Sequence, residues 1–393
     1  MNPLRFAIIG ARRGKTFANS AANVADQVQL AAVCDTVPAM MDDWRDNADV
    51  RCYDDYQQVL DDESIDAVCL ATPVPLHARQ AIAALNAGKH VLSEVTAAYT
   101  IDEGWDLIKA VEQTGLTYMM AENYCYMREN MMIENMVEQG VFGEITFASG
   151  AYLHDCRDLM WNENGELTWR GRLRQSHYGN TYPTHSLGPV SRWLGINRRD
   201  RYISTATWGS PGLAIPAYAQ RNFPTRPEFS DTAAWKGNDS ATTLLKTEKG
   251  VVVEIRVDWA SPRPHNIRRH ELQGTKASFT TQEHGNDSLI WIDGRSDANA
   301  TGVAGAWEPL SKYYDEFEHP LWKKHLDEAT KAGHGGGDYF TLLEFAAAVR
   351  ENRLPMIDVY DAVTWSSITP LSMLSIDQNN NAVEVPDFKA GNL

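Results

Sequence analysis

The sequence has few cysteines, and their number and spacing argue against two common kinds of site. Only five of the 393 residues are cysteine, an odd number, and no two of them form a CxxC pair. A disulfide scaffold and a cysteine-ligated zinc site are therefore both unexpected. We expect reduced, buried thiols and no bound metal.

Long apolar runs and positive charge are also scarce. No apolar run approaches the roughly 18 residues that a membrane helix needs, and the residues after Arg12 and Arg13 are too polar for an export signal. The formal net charge of -16 repels phosphate backbones and anionic lipids. We therefore expect a cytoplasmic protein that binds neither nucleic acid nor membranes.

The first 125 residues do contain a regular alternation of short apolar runs and helical patterns. Apolar runs occupy residues 6–9, 29–33, 67–71, 90–92 and 117–121. Helical spacing of apolar residues, as in 76–87 and 102–113, separates them. This alternation predicts a doubly wound parallel sheet of the Rossmann type, which binds ligands at the carboxyl ends of its strands.

The pattern changes after about residue 143, where strand-like stretches follow one another directly. They cover residues 145–153, 202–208, 242–247, 251–259, 270–273 and 289–292. We predict an α/β fold with two domains, a Rossmann domain over 1–125 and an α/β domain over 126–393 with a large open, mostly antiparallel sheet. Residues 209–239, rich in Pro, Gly and Asn, are predicted to form a loop or lid. Helices near 338–351 and 360–376 close the chain and are free to pack back on the first domain.

The turn after the first predicted strand reads IGARRGK, where a dinucleotide-binding domain carries GxGxxG. Arg12 occupies the position of the second glycine, so the match is incomplete, and Arg12 or Arg13 is a candidate to pair with a pyrophosphate. Asp35 follows the second strand, where an acid bonds both ribose hydroxyls and repels a 2′-phosphate. This pairing of turn and acid favours NAD over NADP, while the alternative role for Asp35 is to cap a helix.

A more specific stretch is DAVCLATPVPLHARQAIAALNAGKHVLSE, residues 66–94. With Thr72, His77 and the AGKHVLSE ending, it resembles the Gfo/Idh/MocA oxidoreductase family. The resemblance implies a Rossmann domain followed by an open-sheet α/β domain, and oxidation or epimerisation of sugars and related polyols. Most dehydrogenases of that family have Lys after the Glu, in contact with the substrate hydroxyl. This chain has Val95 there.

One branch of the family, the NAD-dependent glycosidases typified by α-N-acetylgalactosaminidases, also carries Val at this position. Other stretches of the chain resemble that branch: ENYCYMRENMMIENMVEQGVFGEI (122–145), GAYLHDCRD (150–158), NTYPTHSLGPVSRWLGINRRDRY (180–202), PRPHNIRRHELQGTKASF (262–279) and GHGGGDY with VYDAVTWSSITPLS (333–372). His265 stands where the galactosaminidases have Tyr. This difference leaves the substrate open.

The resemblance implies a redox-neutral hydrolysis. NAD takes hydride from carbon 3 of the sugar, the resulting ketone acidifies the carbon 2 proton, and the glycosidic oxygen leaves by elimination. Water then adds, and NADH returns the hydride. Paired carboxylates are not needed for this chemistry.

Site residues follow from the resemblance and from local spacing. Tyr182 and His185 would share a helix face, and Tyr152 and His154 a strand face. We predict as catalytic His185, Tyr182 and Tyr152. We predict as substrate-binding Arg170, His154, Glu122 and His265. We predict as cofactor-binding Gly10, Ala11, Arg12, Arg13, Asp35, Thr72, Pro73, His77, Glu94 and Asn123.

Three functions remain open at this stage: an NAD-dependent glycosidase, a conventional sugar or glycoside 3-dehydrogenase, and a non-enzymatic sugar or NAD sensor. Val95 favours the first over the second, and the Tyr/His set disfavours the third. An N-acetylgalactosaminide is the expected substrate, but the basic run Arg170, Arg172 and Arg174 also fits an anionic glycoside such as a sulfoquinovoside. We further expect a homo-oligomer formed through the C-terminal sheet. The roles of His177 and His334 stay open.

Overall fold

Two compact units make up the chain in the computed structural model, which describes residues 2–264, 266–282, 287–296 and 307–389. The first unit comprises Met1–Met131, His319–Ser367 and Phe388–Leu393. The second comprises Met132–Glu318 and Ile368–Asp387. Each unit has its own sheet.

A six-stranded parallel sheet forms the centre of the first unit, in the order β3-β2-β1-β4-β5-β6. Its strands are β1 Leu4–Ile9, β2 Val28–Cys34, β3 Arg51–Tyr53, β4 Ala67–Leu70, β5 His90–Ser93 and β6 Tyr118–Met120. All four residues of β4 are buried, because helices cover both faces of such a sheet and its central strands are continuously apolar. The strand order reverses between β1 and β4, which is where doubly wound sheets bind ligands.

Helices follow the first five of these strands in the expected alternation, and the remaining helices lie later in the chain. In chain order they are α1 Ala11–Ala21, α2 Asp42–Arg45, α3 Tyr56–Asp61, α4 His77–Asn86, α5 Ile101–Thr114, α6 Arg128–Glu138, α7 Trp169–Ser176, α8 Thr184–Leu194, α9 Ala214–Asn222, α10 Tyr314–Phe317, α11 Pro320–Ala329, α12 Gly337–Glu351 and α13 Val359–Asp377. The start of α5 shows the local cause of such boundaries. Thr100 accepts a hydrogen bond from the Glu103 main chain, and the Glu103 carboxylate accepts one in return.

A nine-stranded sheet forms the centre of the second unit, in the order β14-β13-β12-β11-β7-β10-β9-β8-β15. Its strands are β7 Ile145–Leu153, β8 Tyr202–Gly209, β9 Ser240–Thr247, β10 Val252–Asp258, β11 Asn266–Gly274, β12 Ala277–Thr280, β13 Leu289–Ile292, β14 Glu308–Pro309 and β15 Val383–Glu384. Among the described strands, the central pair of β7 and β10 is parallel and the other neighbouring pairs are antiparallel.

The predicted fold class, a Rossmann sheet followed by a mostly antiparallel sheet, is confirmed. Two local predictions differ from the structure. Residues 209–239 contain the helix α9, whose Ile215 and Ala219 are buried, although Pro and Gly nearby predicted only a loop. The short strand β3 has no fully buried residue, so it gives no apolar run in the sequence.

None of the described cysteines forms a disulfide, and all but Cys52 are buried. No helix in the described ranges is long and apolar enough to span a membrane, and the cytoplasmic location stays a prediction. In the same part of the chain, no group of three or more His, Cys, Asp or Glu side chains is arranged to hold a metal ion.

Candidate active site

The turn between β1 and α1 brings the main chain close to the end of β4. Gly10 has φ 95°, and a Cβ atom at this position would lie 2.7 Å from the carbonyl oxygen of Ala71. Only glycine fits this conformation and this contact. The first turn of α1 therefore lies at the point where the strand order reverses, as a dinucleotide phosphate requires.

Asp35 is both a helix-capping residue and a candidate ribose ligand. One carboxylate oxygen accepts a hydrogen bond of 2.9 Å from the Ala11 main chain, and the other accepts one of 2.9 Å from Val37. The capping role considered from sequence is therefore real. A carboxylate has about four acceptor sites, so these two bonds do not exhaust it.

The two arginines of the turn differ in their surroundings. Arg12 is exposed. Arg13 forms a 2.6 Å ion pair with Glu94, which follows β5, and its other terminal nitrogen donates to the Thr16 hydroxyl at 2.9 Å. The sequence placed both arginines at the cofactor, and the structure fixes the guanidinium of Arg13 at that edge of the sheet.

Thr72 and Pro73 lie in the loop after β4, and His77 begins α4. The two ring nitrogens of His77 lie 2.9 Å and 2.8 Å from the carbonyl oxygens of Thr96 and Thr72. Burial lowers the pKa of His77, although these carbonyl groups act in the opposite direction. The ring thus orders the main chain around Thr72. Direct contact of His77 with a cofactor stays a prediction, and this geometry does not favour it.

Glu122 and Asn123 follow β6 at the same sheet edge. Glu122 is fully buried and accepts a 3.2 Å hydrogen bond from the Tyr124 main chain, so its predicted contact with substrate has no support here. The Asn123 side chain donates to an oxygen of Asp338 at 2.8 Å. This bond connects the end of β6 with the first turn of α12.

His334, whose role the sequence leaves open, is paired with Asp338 in the structure. His334 Nδ1 lies 2.8 Å from the second oxygen of Asp338. His334, Gly335 and Gly336 all have positive φ, so this glycine-rich turn bends sharply and returns the imidazole to the start of α12. The motif GHGGGD was the available signal, because it places a histidine and a carboxylate four residues apart around glycines.

The charge of Asp338 is favoured by its neighbours. Burial raises the pKa of this carboxyl, but the hydrogen bond and charge of His334, the Asn123 amide and the charge of Arg13 together bring it below its ordinary value. An ionised Asp338 accepts the Nδ1 proton of His334. The Nε2 atom is then the nitrogen that remains for proton transfer.

These residues fit a bound NAD. Gly10 permits close approach of the main chain, Asp35 supplies carboxylate oxygens, and Arg13 supplies positive charge. In addition, the side-chain oxygen of Asn123 is buried and has no hydrogen-bond partner among the described residues. A buried amide oxygen of this kind is costly unless a ligand or water bonds it.

The second unit contains a cluster of aromatic rings, which we call the tyrosine–histidine cluster. Ring centroids lie 5.2 Å apart for Tyr152 and His185, 5.0 Å for Tyr182 and His185, and 5.5 Å for the two tyrosines. The remaining members, His154 and Trp259, lie within 5.6 Å of Tyr152 and 5.1 Å of Tyr182, respectively. The structure thus brings together the three predicted catalytic residues.

Strand β7 and helix α8 position this cluster. Tyr152 lies on β7, and His185 lies in the first turn of α8, which begins at Thr184 after Pro183. A Cβ atom on Gly150 of β7 would lie 2.2 Å from the carbonyl oxygen of Ser186. The helix therefore packs directly on the strand, and the rings of both elements meet.

The residues of this unit that were considered for substrate binding differ in their surroundings. Burial lowers the pKa of His154, although the main chain and carboxylate of Asp155 and the charge of Asp158 act in the opposite direction. Arg172 and Arg174 donate to main-chain oxygens of Leu167 and Asn238, so the protein's own main chain takes part of the hydrogen-bonding capacity of both guanidinium groups.

Arg170 stacks on the Trp169 ring at 4.5 Å and has no carboxylate partner in the described residues. His177 contacts the Ser176 hydroxyl. His265 lies outside the residues that the structure describes.

Comparisons with known proteins agree on both units. Residues 4–122 match a family model described as an oxidoreductase family with an NAD-binding Rossmann fold. Residues 126–393 match the C-terminal domain of glycosyl hydrolase 109. A glycosyl hydrolase family 109 protein of Stenotrophomonas maltophilia is 35% identical over 397 residues, which cover 93% of this chain and 85% of the relative. An alpha-N-acetylgalactosaminidase of Shewanella oneidensis is 36% identical over 376 residues, covering 93% of this chain and 80% of the relative.

Solved structures agree on the fold. A levoglucosan dehydrogenase in complex with NADH and levoglucosan has a TM-score of 0.75 and 20% identity, covering 98% of this chain and 100% of the other. An inositol dehydrogenase homolog of Azotobacter vinelandii, in complex with NADH and myo-inositol, has a TM-score of 0.72 and 20% identity, covering 98% of both chains. At this identity the likeness shows the fold alone.

The position of Asp35 predicts the choice of cofactor. The unmodified protein should bind NAD at least about tenfold more tightly than NADP, because the carboxylate attracts ribose hydroxyls and repels a phosphate. Replacing Asp35 by Ala should weaken NAD binding about tenfold and reduce the difference in affinity between NAD and NADP. Calorimetric titration of the apo protein with both cofactors measures this.

Asp42→Ala is the matched control, since Asp42 is an exposed acid of the same segment, paired with Arg45. Melting temperatures show whether the loss of the Ala11 hydrogen bond unfolds the protein. Equal affinity of the unmodified protein for NAD and NADP would remove Asp35 from the site.

Proposed function

The chain belongs to glycosyl hydrolase family 109 and is an NAD-dependent glycosidase, and from this premise we propose that it cleaves glycosides through transient oxidation of sugar carbon 3. The redox chemistry comes from bound NAD, which would accept hydride from that carbon and later return it. The protein's own residues bind the cofactor and the sugar, and move protons.

The composition of the tyrosine–histidine cluster carries this proposal. Its five members are two tyrosines, two histidines and a tryptophan in ring contact, and the neighbouring carboxylate of Asp155 is paired with Arg157. Ordinary glycosidases need a pair of Asp or Glu side chains beside the scissile bond. Oxidation followed by elimination instead needs groups that accept and donate protons at hydroxyls and at an acidified carbon.

We assign the carbon 3 hydroxyl proton to the Tyr182 and His185 side chains. The resemblance implies a lysine after Glu94 in dehydrogenases. This chain has Val95 at that position, and valine has no proton-transfer group. Tyr152 contacts both rings and restricts their orientation. Once carbon 3 is a ketone, removal of the carbon 2 proton lets the glycosidic oxygen leave as a double bond forms.

The His334–Asp338 pair is a candidate acid for that departing oxygen. Asp338 is buried and fixes Nδ1 of His334 as the bonded nitrogen, and a hydrogen bond from Asn123 holds Asp338 in turn. The His334 side chain keeps 35% of its surface exposed, so Nε2 is available to donate a proton to the leaving group and then to accept one from water.

The substrate that the relatives favour is an N-acetylgalactosaminide, because a protein of that named activity is 36% identical over most of the chain. An anionic glycoside such as a sulfoquinovoside is the second candidate. Its support within the basic run reduces to Arg170, since the guanidinium groups of Arg172 and Arg174 bond main-chain oxygens.

We also propose a homo-oligomer formed through the nine-stranded sheet. Trp208, Leu244 and Val252 are 48%, 39% and 42% exposed. The register of β8, β9 and β10 places them on one face. Exposed apolar side chains grouped on one sheet face, here among the charged Lys246, Glu254 and Arg256, are a feature of interfaces between subunits.

A panel of nitrophenyl glycosides tests the function directly. The apo protein should release nitrophenol from an N-acetylgalactosaminide only when NAD is added. The amount of NADH formed, measured by its absorbance, should stay far below one equivalent of the sugar released. Sulfoquinovosides in the same panel test the anionic alternative. One NADH formed per sugar consumed would make the protein a dehydrogenase and contradict the proposal.

The two histidines should respond differently to the leaving group. His185→Ala should reduce turnover by roughly 10²–10⁴ on every substrate, since oxidation precedes cleavage. His334→Ala should cause a similar loss on a glycoside with an alkyl leaving group and a much smaller loss on a nitrophenyl glycoside, because nitrophenolate needs no proton to depart. Steady-state kinetics with both kinds of substrate measures the difference.

His177→Ala is the control, because His177 is a histidine of the same unit as His185 outside the cluster. NAD affinity and melting temperature should change little in all three variants. If His334→Ala reduced turnover equally with both leaving groups, an acid role for His334 would be excluded. A stable His185→Ala protein with normal turnover would exclude His185 as the acceptor of the carbon 3 hydroxyl proton.

A further inference from the structure

The ion pair between Arg13 and Glu94 joins two segments that are not neighbours in the sheet. Arg13 belongs to the first turn of α1, which follows β1, whereas Glu94 follows β5. Strand β4 lies between them in the order β1-β4-β5. Because neighbouring strands are about 4.8 Å apart, the pair crosses about two strand spacings and passes over the end of β4.

Main-chain hydrogen bonds hold the three strand ends level. Ala71 donates to the carbonyl of Ile9 at 2.8 Å, and Glu94 donates to the carbonyl of Leu70 at 2.9 Å. The ion pair therefore spans the crevice at the carboxyl edge, where the strand order reverses and a dinucleotide binds.

The pair is prearranged on both sides. The Arg13 guanidinium also donates to Thr16 and lies 5.8 Å from the centre of the Phe17 ring. The Glu94 side chain is only 11% exposed, so water and salt screen the interaction less than they screen a surface pair.

We propose that Arg13 and Glu94 form a clasp that must open for NAD to enter or leave and that closes over the bound cofactor. This inference rests on the proposed function, because it requires NAD at this edge of the sheet. In redox-neutral hydrolysis one bound dinucleotide must stay in place from oxidation to reduction. A clasp that slows release of the cofactor would keep it bound for that time.

A competing use of the same residues gives the opposite result. If Arg13 left Glu94 to pair with the pyrophosphate, Glu94 would be a competitor of the cofactor. Removing the Glu94 charge would then strengthen NAD binding or leave its release rate unchanged. The clasp instead requires that loss of either partner speeds release.

Release rates decide between these outcomes. Protein loaded with NADH is mixed with excess NAD, and loss of the bound NADH fluorescence is followed by stopped flow. Glu94→Gln and Arg13→Gln should each speed release about tenfold, and the double variant should be no faster than the singles. Lys15→Gln is the matched control, since Lys15 lies on the same helix and pairs with the exposed Asp43.

Arg13→Lys keeps the charge and should give an intermediate rate, which maintains the test if a neutral variant fails to fold. Unchanged or slower release in Glu94→Gln would overturn the clasp alone. Failure of the unmodified protein to bind either NAD or NADH would overturn the proposed function and the clasp together.

Discussion

The proposed chemistry of the first unit depends on the hydrogen bonds made by the buried carboxylate of Asp338. One oxygen accepts from the Asn123 amide, 215 residues earlier in the chain, and the other bonds His334. Because the carboxyl is held ionised by these partners and by Arg13, it fixes the end of β6, the glycine-rich turn and the histidine tautomer together. Without it, His334 would be a loop residue with no defined orientation.

The chemistry follows from where carboxylates are placed. In the first unit, Asp35, Glu94 and Asp338 each bond a protein group that belongs to the cofactor edge or to the His334 turn. In the second unit, the residues predicted as catalytic are two tyrosines and a histidine in ring contact. Under the proposed function these groups would move protons while a carbon 3 ketone makes elimination possible, so the usual pair of carboxylates would not be needed.

The sequence predicted the fold and part of the site because those features are local. Continuous apolar runs marked the central strands, and the spacing of Tyr182 and His185 predicted that their side chains would lie close together. They do, but not on one helix face as expected, because α8 begins at Thr184, after Tyr182. The Asn123–Asp338 bond and the Arg13–Glu94 pair could not be predicted, since each joins distant segments through folding. Helix α9 was missed because Pro216 and the neighbouring prolines and glycines resemble a loop, and its buried Ile215, Pro216 and Ala219 form the packed face.

The central claim, that cleavage proceeds through a carbon 3 ketone, is tested most directly by the fate of the carbon 2 proton. Hydrolysis is run in deuterium oxide, and the released sugar is examined by NMR and mass spectrometry. We predict one deuterium at carbon 2 of each product molecule, because that proton is removed before elimination and replaced when water adds. Product that keeps its original carbon 2 proton would contradict oxidation and elimination.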